Sequence, residues 1–190
     1  MPIDQKGLTM TNEISTKRMT LRMIDETYTD QVLAFVVHNK NYLAEWEPLR
    51  SEDFYTSQVQ QEILQDEAAK IREGSLCKFW MFLGDRIIGS AALSNIVRGA
   101  FQSCHLGYKI DEQEQGKGLM TEALEAVVRH AFQDLCLHRI EANIMPRNQA
   151  SLRVVEKLGF ENEGIARKYL KINGKWEDHF HMVRFNEEME

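Results

Sequence analysis

The stretch that decides the fold runs from Tyr108 to Leu124 and reads Tyr-Lys-Ile-Asp-Glu-Gln-Glu-Gln-Gly-Lys-Gly-Leu-Met-Thr-Glu-Ala-Leu. Tyr108 and Ile110 alternate with polar neighbours, which predicts a half-buried strand. Gly116 and Gly118 then predict a tight loop that leads directly into an amphipathic helix. The free N–H groups and the partial positive charge at such a helix start favour an anion, best a phosphate or pyrophosphate.

Two familiar phosphate-binding motifs do not match this loop. A P-loop that hydrolyses nucleotides would need Ser or Thr after Lys117, where Gly118 stands. A dinucleotide-binding loop would need a third glycine where Thr121 stands. The pattern that remains is Gln113-x-x-Gly116-x-Gly118, which an ordinary turn between a strand and a helix could also produce.

The composition limits the class of protein. The chain has 190 residues, which fits one domain, and 43% of them are hydrophobic, which is enough for a core. A net charge of −6 argues against a nucleic-acid partner. Three widely spaced cysteines and six histidines without metal-ligand spacing predict neither a disulfide framework nor a metal site, and suit a cytoplasmic protein. No signal peptide or membrane-spanning run is apparent, so we expect no membrane contact.

Hydrophobic periodicity predicts an α+β chain with a mixed central sheet and helices on both faces. We expect residues 1–16 to form a flexible N-terminal tail and residues 17–190 to form a single domain. Its elements should follow the order β-α-α-β-β-β-α-β-α-β-β. The predicted strands cover residues 18–24, 76–83, 86–93, 101–110, 138–145, 167–172 and 175–183, with a hairpin turn at Asn173-Gly174.

Two further stretches carry a family resemblance. The segment Leu137–Gly164 contains Asn148-x-x-Ser151, followed by Leu-Gly-Phe and Glu-Gly, and a closing hairpin contains Asn-Gly-x-Trp-x-Asp-His179. Together with the glycine loop and the order of elements, these motifs resemble the RimJ/RimL branch of the GNAT acetyltransferases. That branch comprises ribosomal-protein N-terminal acetyltransferases and their relatives. The resemblance covers the chain after residue 16 and implies the GNAT fold, in which two central strands splay apart.

The resemblance implies acetyl-CoA as co-substrate, with pantetheine in the gap between the splayed strands and pyrophosphate on the glycine loop. An amine acceptor would attack the thioester directly, so no nucleophilic residue and no metal are required. The residues expected to bind acetyl-CoA are Tyr108, Lys109, Ile110, Gln113, Gln115, Gly116, Lys117, Gly118, Leu119, Met120, Asn148 and Ser151. Asn148 would serve equally well as a helix N-cap, and both roles are compatible.

The resemblance also implies the catalytic residues. Ser151 matches the proposed general acid that donates to the leaving thiolate, although a serine in the first turn of a helix can also satisfy backbone N–H groups. Glu141 is the candidate general base, unless it is a surface residue paired with Arg139. Glu45, Trp46 and Arg50 occupy the loop that lines the acceptor site in relatives; otherwise this segment simply connects two helices.

The cost of deprotonation favours an α-amine as the acceptor. An α-amino group with a pKa of about 7.8 costs roughly 1 kcal/mol to deprotonate at neutral pH, whereas lysine costs roughly 4.6 kcal/mol. A protein N-terminus is therefore the expected acceptor for a site whose single candidate base is Glu141. Two alternatives remain: a small amine such as a polyamine, amino acid or amino-sugar antibiotic, and a non-catalytic acetyl-CoA-binding module. Both a monomer and a homodimer are compatible with the sequence.

Overall fold

A computed structural model describes residues 12–189, and within this range the backbone forms one eight-stranded sheet with α-helices on both sides. The strands are β1 (Glu13–Ser15), β2 (Thr20–Arg22), β3 (Cys77–Leu83), β4 (Arg86–Val97), β5 (Ser103–Ile110), β6 (Arg139–Ile144), β7 (Glu161–Ile172) and β8 (Lys175–Phe185). The α-helices are α1 (Thr29–His38), α2 (Lys40–Leu43), α3 (Ser57–Arg72), α4 (Leu119–Gln133) and α5 (Gln149–Lys157). The predicted α+β class is confirmed.

The sheet opens between its two central strands. The strand order is β1-β2-β3-β4-β5-β6-β8-β7, and the β5–β6 pair is parallel while its neighbours pair antiparallel. The β5–β6 ladder ends at the pair His105 and Glu141. Beyond that point β5 pairs with β4 as far as Ile110, and β6 pairs with β8 as far as Ile144. Each strand thus keeps its outer neighbour, and the edges facing the opening have no strand to pair with.

At β3 both faces of the sheet are buried, as the alternation along this strand shows. Phe79 and Met81 pack into a cluster with apolar residues of α4 and α5, whereas Trp80 and Phe82 pack with α1 and α3. Successive side chains of a strand point to opposite faces, so one apolar run serves both layers. Each such side chain stabilises the fold by about 1.5–3 kcal/mol through burial. The helices packed on the two faces of the sheet therefore hold in place the strands that border the opening.

Local sequence signals explain why several elements begin where the sequence predicts. Thr56 caps α3 by accepting a hydrogen bond from the N–H of Val59. Asn148 caps α5 by accepting one from the N–H of Ser151 at 3.1 Å. Asn173 and Gly174 both have positive φ, 44° and 78°, which suits the two-residue turn between β7 and β8.

The structure corrects several predicted boundaries, among them the end of β4, which runs to Val97 rather than to 93, the N-terminal tail and the start of β7. The predicted flexible tail is wrong for its last residues, because Glu13–Ser15 form β1 and pair with β2; residues 1–11 of that tail lie outside the described range. Strand β7 begins at Glu161 rather than at 167. Its pairing with β8 shifts register twice, which interrupts the alternation that a sequence pattern detects.

Two of the three cysteines are buried and one is exposed. Burial raises the pKa of the Cys77 and Cys104 thiols to about 12, so both stay protonated, while Cys136 is exposed. Within residues 12–189, no group of three or more His, Cys, Asp or Glu side chains is placed to hold a metal ion. No helix in the same range is long and apolar enough to cross a membrane.

Candidate active site

A cavity of about 280 Å³ lies at the end of β5, beside the opening where β5 and β6 no longer pair. Tyr108 packs against the cluster under α4 and α5, and its neighbour Lys109 points to the opposite face, so the cavity is bordered from both sides of the sheet. Four segments line it: the end of β5, the glycine loop with the start of α4, one side of α5 along its length to Lys157, and the loop around α2. The lining includes Trp46, Tyr108, Lys109, Ile110, Gln115, Gly116, Gly118, Leu119, Met120, Asn148 and Ser151 from the residues that the sequence predicted.

The glycine loop presents backbone donors to this cavity. Gly116 and Gly118 have φ of 70° and 75°, the left-handed conformation that favours glycine. The first hydrogen bond of α4 runs from the N–H of Glu122 to the carbonyl of Gly118. The N–H groups from Gly118 to Thr121 therefore have no acceptor within the helix. Four converging donors and the positive end of a 15-residue helix suit a pyrophosphate.

An ion pair that sequence analysis missed holds this loop from behind. Arg18 donates to the carbonyl of Lys117 at 2.8 Å, and its Nε lies 2.7 Å from Oε2 of Glu122. Thr16 donates to the other oxygen of Glu122. Burial raises the pKa of Glu122, but these hydrogen bonds outweigh it and the pKa is lowered overall. The segment before β2 thus fixes the start of α4, a contact between residues about a hundred positions apart.

Two residues predicted to bind the donor do not line the cavity. The N–H of Gln113 donates to the side chain of Asp111 at 2.9 Å, which closes a short turn before the glycine loop. Lys117 has its Nζ 2.8 Å from Glu114, whose other oxygen accepts from Arg86. Hydrogen bonds from Lys117 and Arg86 lower the pKa of Glu114. Gln113 and the side chain of Lys117 therefore make contacts that hold the glycine loop in its conformation and do not face the cavity.

Ser151 and Tyr108 form a hydroxyl pair at the cavity wall. The Tyr108 hydroxyl lies 2.6 Å from Oγ of Ser151 and 3.2 Å from the Ser151 carbonyl oxygen. Burial raises the pKa of Tyr108 to about 12, with a smaller opposing effect of the Ser151 hydrogen bond, so the phenol stays protonated at neutral pH. When Tyr108 donates to Ser151, the Ser151 proton is free to be donated into the cavity. Asn148 keeps the turn that carries Ser151 in place.

Glu141 lies where the strands part, but its carboxylate is engaged elsewhere. Oε2 accepts from Arg139 at 2.9 Å, and Oε1 lies 3.0 Å from Nδ1 of His181. Burial raises the pKa of Glu141, but hydrogen bonds from Arg139 and Asn143 outweigh it, so the pKa is lowered. Glu141 is not among the residues that line the cavity. A carboxylate with a lowered pKa is a weaker base, so the structure gives little support to the predicted role.

The predicted acceptor loop is held by an arginine from the turn that precedes α5. Arg147 lies 2.8 Å from Oε1 of Glu45 and donates to the Glu45 carbonyl, and a second nitrogen lies 3.3 Å from Glu177 of β8. Its guanidinium also covers the ring of Trp46 at 4.9 Å. Trp46 lines the cavity, whereas the Glu45 carboxylate pairs with Arg147 and does not line it. Arg147 was not a sequence candidate, because nothing local marks a residue that joins three distant segments.

Arg50 also lies outside the cavity lining. Its guanidinium covers the ring of Phe54 at 4.6 Å, and its Nε lies 3.7 Å from Oε2 of Glu47. Glu47 itself lines the cavity and accepts from Lys109 at 2.8 Å. Sequence analysis passed over Glu47, although it lies between two of the nominated residues.

The acetyltransferase (GNAT) domain family matches residues 18–161, about three quarters of the chain. The chain belongs to the GNAT acetyltransferase family. It is 41% identical over 165 residues to the probable N-acetyltransferase YjcK of Bacillus subtilis (strain 168), covering 86% of this chain and 91% of that protein. It is also 41% identical over 170 residues to the [ribosomal protein uS5]-alanine N-acetyltransferase of Escherichia coli (strain K12), covering 87% of each.

A solved structure is similar over most of the chain. RimJ of Mycobacterium smegmatis, in complex with CoA-disulfide, has a TM-score of 0.86 and 28% identity, covering 90% of this chain and 83% of that one. The predicted RimJ/RimL branch and GNAT fold are thus confirmed. The chain is an N-acetyltransferase that uses acetyl-CoA as acetyl donor, and the backbone donors of the glycine loop suit the diphosphate of that molecule.

Proposed function

We propose that this enzyme acetylates the N-terminal α-amine of a ribosomal protein, with alanine as the first residue. The observation that carries the proposal is the 41% identity, over 87% of each chain, to the E. coli enzyme named for the alanine of ribosomal protein uS5. The low cost of deprotonating an α-amine, about 1 kcal/mol at neutral pH, supports it independently. Such an acceptor is made in the cytoplasm, so the proposal includes a cytoplasmic location.

Each donor-side residue takes a distinct role in the proposed reaction. The N–H groups from Gly118 to Thr121 bind the diphosphate, and the free backbone edge of β5 at Tyr108 to Ile110 binds the amides of pantetheine. Ser151 donates its proton to the sulfur that leaves as the acetyl group is transferred. Tyr108 supports Ser151 by donating to its oxygen. A thiol near the cysteine pKa of about 8.5 needs only this one donor.

The acceptor-side roles follow from the same geometry. Trp46 borders the acceptor end of the cavity, with Glu45 and Arg50 holding its loop in position. Glu141 is the base predicted from the sequence, but Arg139 engages its carboxylate, which argues against that role. Positioning of the two substrates supplies a large part of the rate enhancement in such a direct transfer.

A thiol-release assay tests the acceptor. The purified enzyme is incubated with acetyl-CoA and a panel of amines: peptides that begin with Ala or Ser, the same Ala peptide with a blocked N-terminus and an internal lysine, and spermidine. We expect the highest kcat/KM for the free Ala peptide and no turnover of the blocked one. Highest kcat/KM for spermidine, or equal turnover of the blocked peptide, would contradict the proposal.

A further inference from the structure

We propose that Glu47 contacts the amino group of the acceptor and takes up the proton that this group loses. The inference rests on the proposed function of the cavity as an acetyl-transfer site, and it concerns whichever amine the enzyme acetylates. Glu47 lies in the loop after α2 and lines the cavity together with Ser151 and Tyr108. Its carboxylate reaches the cavity from the face of the sheet that carries Lys109, opposite to the side of α5.

The position opposite to Ser151 suits the two ends of the reaction. Tyr108 belongs to the face packed under α4 and α5, and Lys109 belongs to the other face. A thioester in the opening would have its sulfur near Ser151 and its carbonyl carbon open to the side of Glu47. An amine held by Glu47 can therefore attack without displacing the group that protonates the sulfur. Separate groups on opposite sides can then serve as the acid and the base of a direct transfer.

Three carboxylates lie at or beside the opening, and their engagement distinguishes them. Both oxygens of Glu114 are occupied, one by Arg86 and one by Lys117. Both oxygens of Glu141 are occupied as well, one by Arg139 and the other by His181. In Glu47, Oε1 accepts from Lys109, whereas Oε2 makes only a longer ion pair with Arg50, at 3.7 Å, which is beyond hydrogen-bonding distance. The geometry assigns the acceptor amine to Oε2.

The surroundings of Glu47 hold this carboxylate ready. Its backbone carbonyl accepts from the N–H of Asn173 at the tip of the β7–β8 hairpin, at 2.9 Å. Arg147 holds the preceding residues, Glu45 and Trp46. The side chains of Glu47 and Lys109 are 18% and 20% exposed, so the pair is shielded but can be reached from the cavity. A group fixed by backbone and side-chain contacts needs little reorganisation when the acceptor arrives.

The proposed step balances in atoms and charge. The amine nitrogen forms a bond to the carbonyl carbon of the acetyl group, and the bond between that carbon and sulfur breaks. The nitrogen becomes positively charged as it bonds, so it is far more acidic than the free ammonium, and a carboxylate is a strong enough base. Glu47 takes this proton and Ser151 gives one to the sulfur. Exchange with solvent then restores both side chains.

Four single variants, Glu47→Gln, Glu47→Asp, Glu141→Gln and Glu52→Gln, test the assignment with the amine that the wild-type enzyme turns over fastest. For Glu47→Gln we expect kcat/KM for the amine to fall by about 10²–10³-fold, the size of a general-base effect. Its amide still accepts from Lys109, so the Kd for acetyl-CoA should stay within about twofold. Glu47→Asp keeps a carboxylate and should recover at least about tenfold of the loss.

Glu52→Gln is the matched control. Glu52 lies five residues further along, pairs with Lys40 and is 85% exposed, so its loss should leave both constants unchanged. The proposal is overturned if Glu47→Gln stays within about threefold of wild type, or if Glu141→Gln shows the large loss instead. A comparable loss of acetyl-CoA affinity in Glu47→Gln would also overturn it, because Glu47 would then act through the donor side. Absence of turnover in the wild type would count against the proposed function instead.

Discussion

The donor side and the acceptor side of the cavity are built in different ways. The donor side comes from short local segments: the end of β5, the loop Gly116–Gly118, the start of α4, and the turn at Asn148. The acceptor side joins the loop of Glu45–Glu47 to Arg147 and to the β7–β8 hairpin, across more than a hundred residues. Spacing along the chain can therefore reveal where the donor binds, whereas only the fold reveals what surrounds the acceptor.

On the donor side, the largest expected effect separates chemistry from donor binding. Ser151→Ala removes the hydroxyl that Tyr108 positions, so we expect kcat to fall by about 100-fold. The Kd for acetyl-CoA should stay within about twofold, because the backbone donors are untouched. Tyr108→Phe keeps the ring and acts only through Ser151, so its loss should be smaller. An unchanged kcat in Ser151→Ala would remove this residue from the mechanism.

The next effect tests the donor side through its backbone. Gly118→Ala introduces a side chain at φ of 75°, a conformation that costs about 1–2 kcal/mol outside glycine. We expect the Kd for acetyl-CoA, measured by calorimetry, to rise about tenfold. Gly74→Ala is the control, since Gly74 has φ of 74° at the end of α3, away from the cavity. If both variants changed the Kd for acetyl-CoA equally, the change would reflect backbone strain in general and not a contact of the glycine loop with acetyl-CoA.

A smaller effect should appear on the acceptor side alone. Arg147→Ala releases Glu45, Trp46 and Glu177 together, and we expect KM for the acceptor to rise about fivefold, a loss of about 1 kcal/mol. The Kd for acetyl-CoA should not change. Arg147→Lys should lie between the two, because an ammonium cannot form the planar fork or stack as well. A rise in the Kd for acetyl-CoA would mean that the two sides are not independent.

The smallest effect concerns Glu141 and the dependence of stability on pH. Its pKa is lowered in the folded protein, so its pairing stabilises the fold above the ordinary carboxyl pKa of about 4.3 and is lost as the pH falls through the folded value. Glu141→Gln should lower Tm by about 2 °C at pH 7, and the difference should vanish on acidification. The comparison is made by calorimetry from pH 7 to as far below pH 4 as the protein stays folded, because the lowered folded pKa must be passed before the pairing is lost. A difference that grows at low pH would have the wrong sign for this pairing.

The same contrast explains how much the sequence could predict. The glycine loop, the Asn148 cap and the Asn173-Gly174 turn depend on consecutive residues, and each was found at its position. In contrast, Glu47 is held by Lys109, 62 residues away, and Arg18 pairs with Glu122, 104 residues away. No periodicity or motif records such pairs, because they exist only once the sheet has formed.

The predicted roles of Glu45 and Glu141 show the converse. Both carry carboxylates in the right part of the chain, and both are engaged by arginines, Arg147 and Arg139. Sequence alone counts a carboxylate as available, because it does not show which cation lies next to it. The structure shows which oxygen atoms are already occupied.

Hydrogen–deuterium exchange with and without acetyl-CoA tests most directly whether the opening between β5 and β6 is the donor site. We expect slower exchange in peptides that cover residues 106–121, where the free edge of β5 and the start of α4 gain acceptors. A second and larger groove lies between α4 and the end of β8, and its residues should exchange unchanged. Unaltered exchange across 106–121, or protection confined to that second groove, would contradict the account.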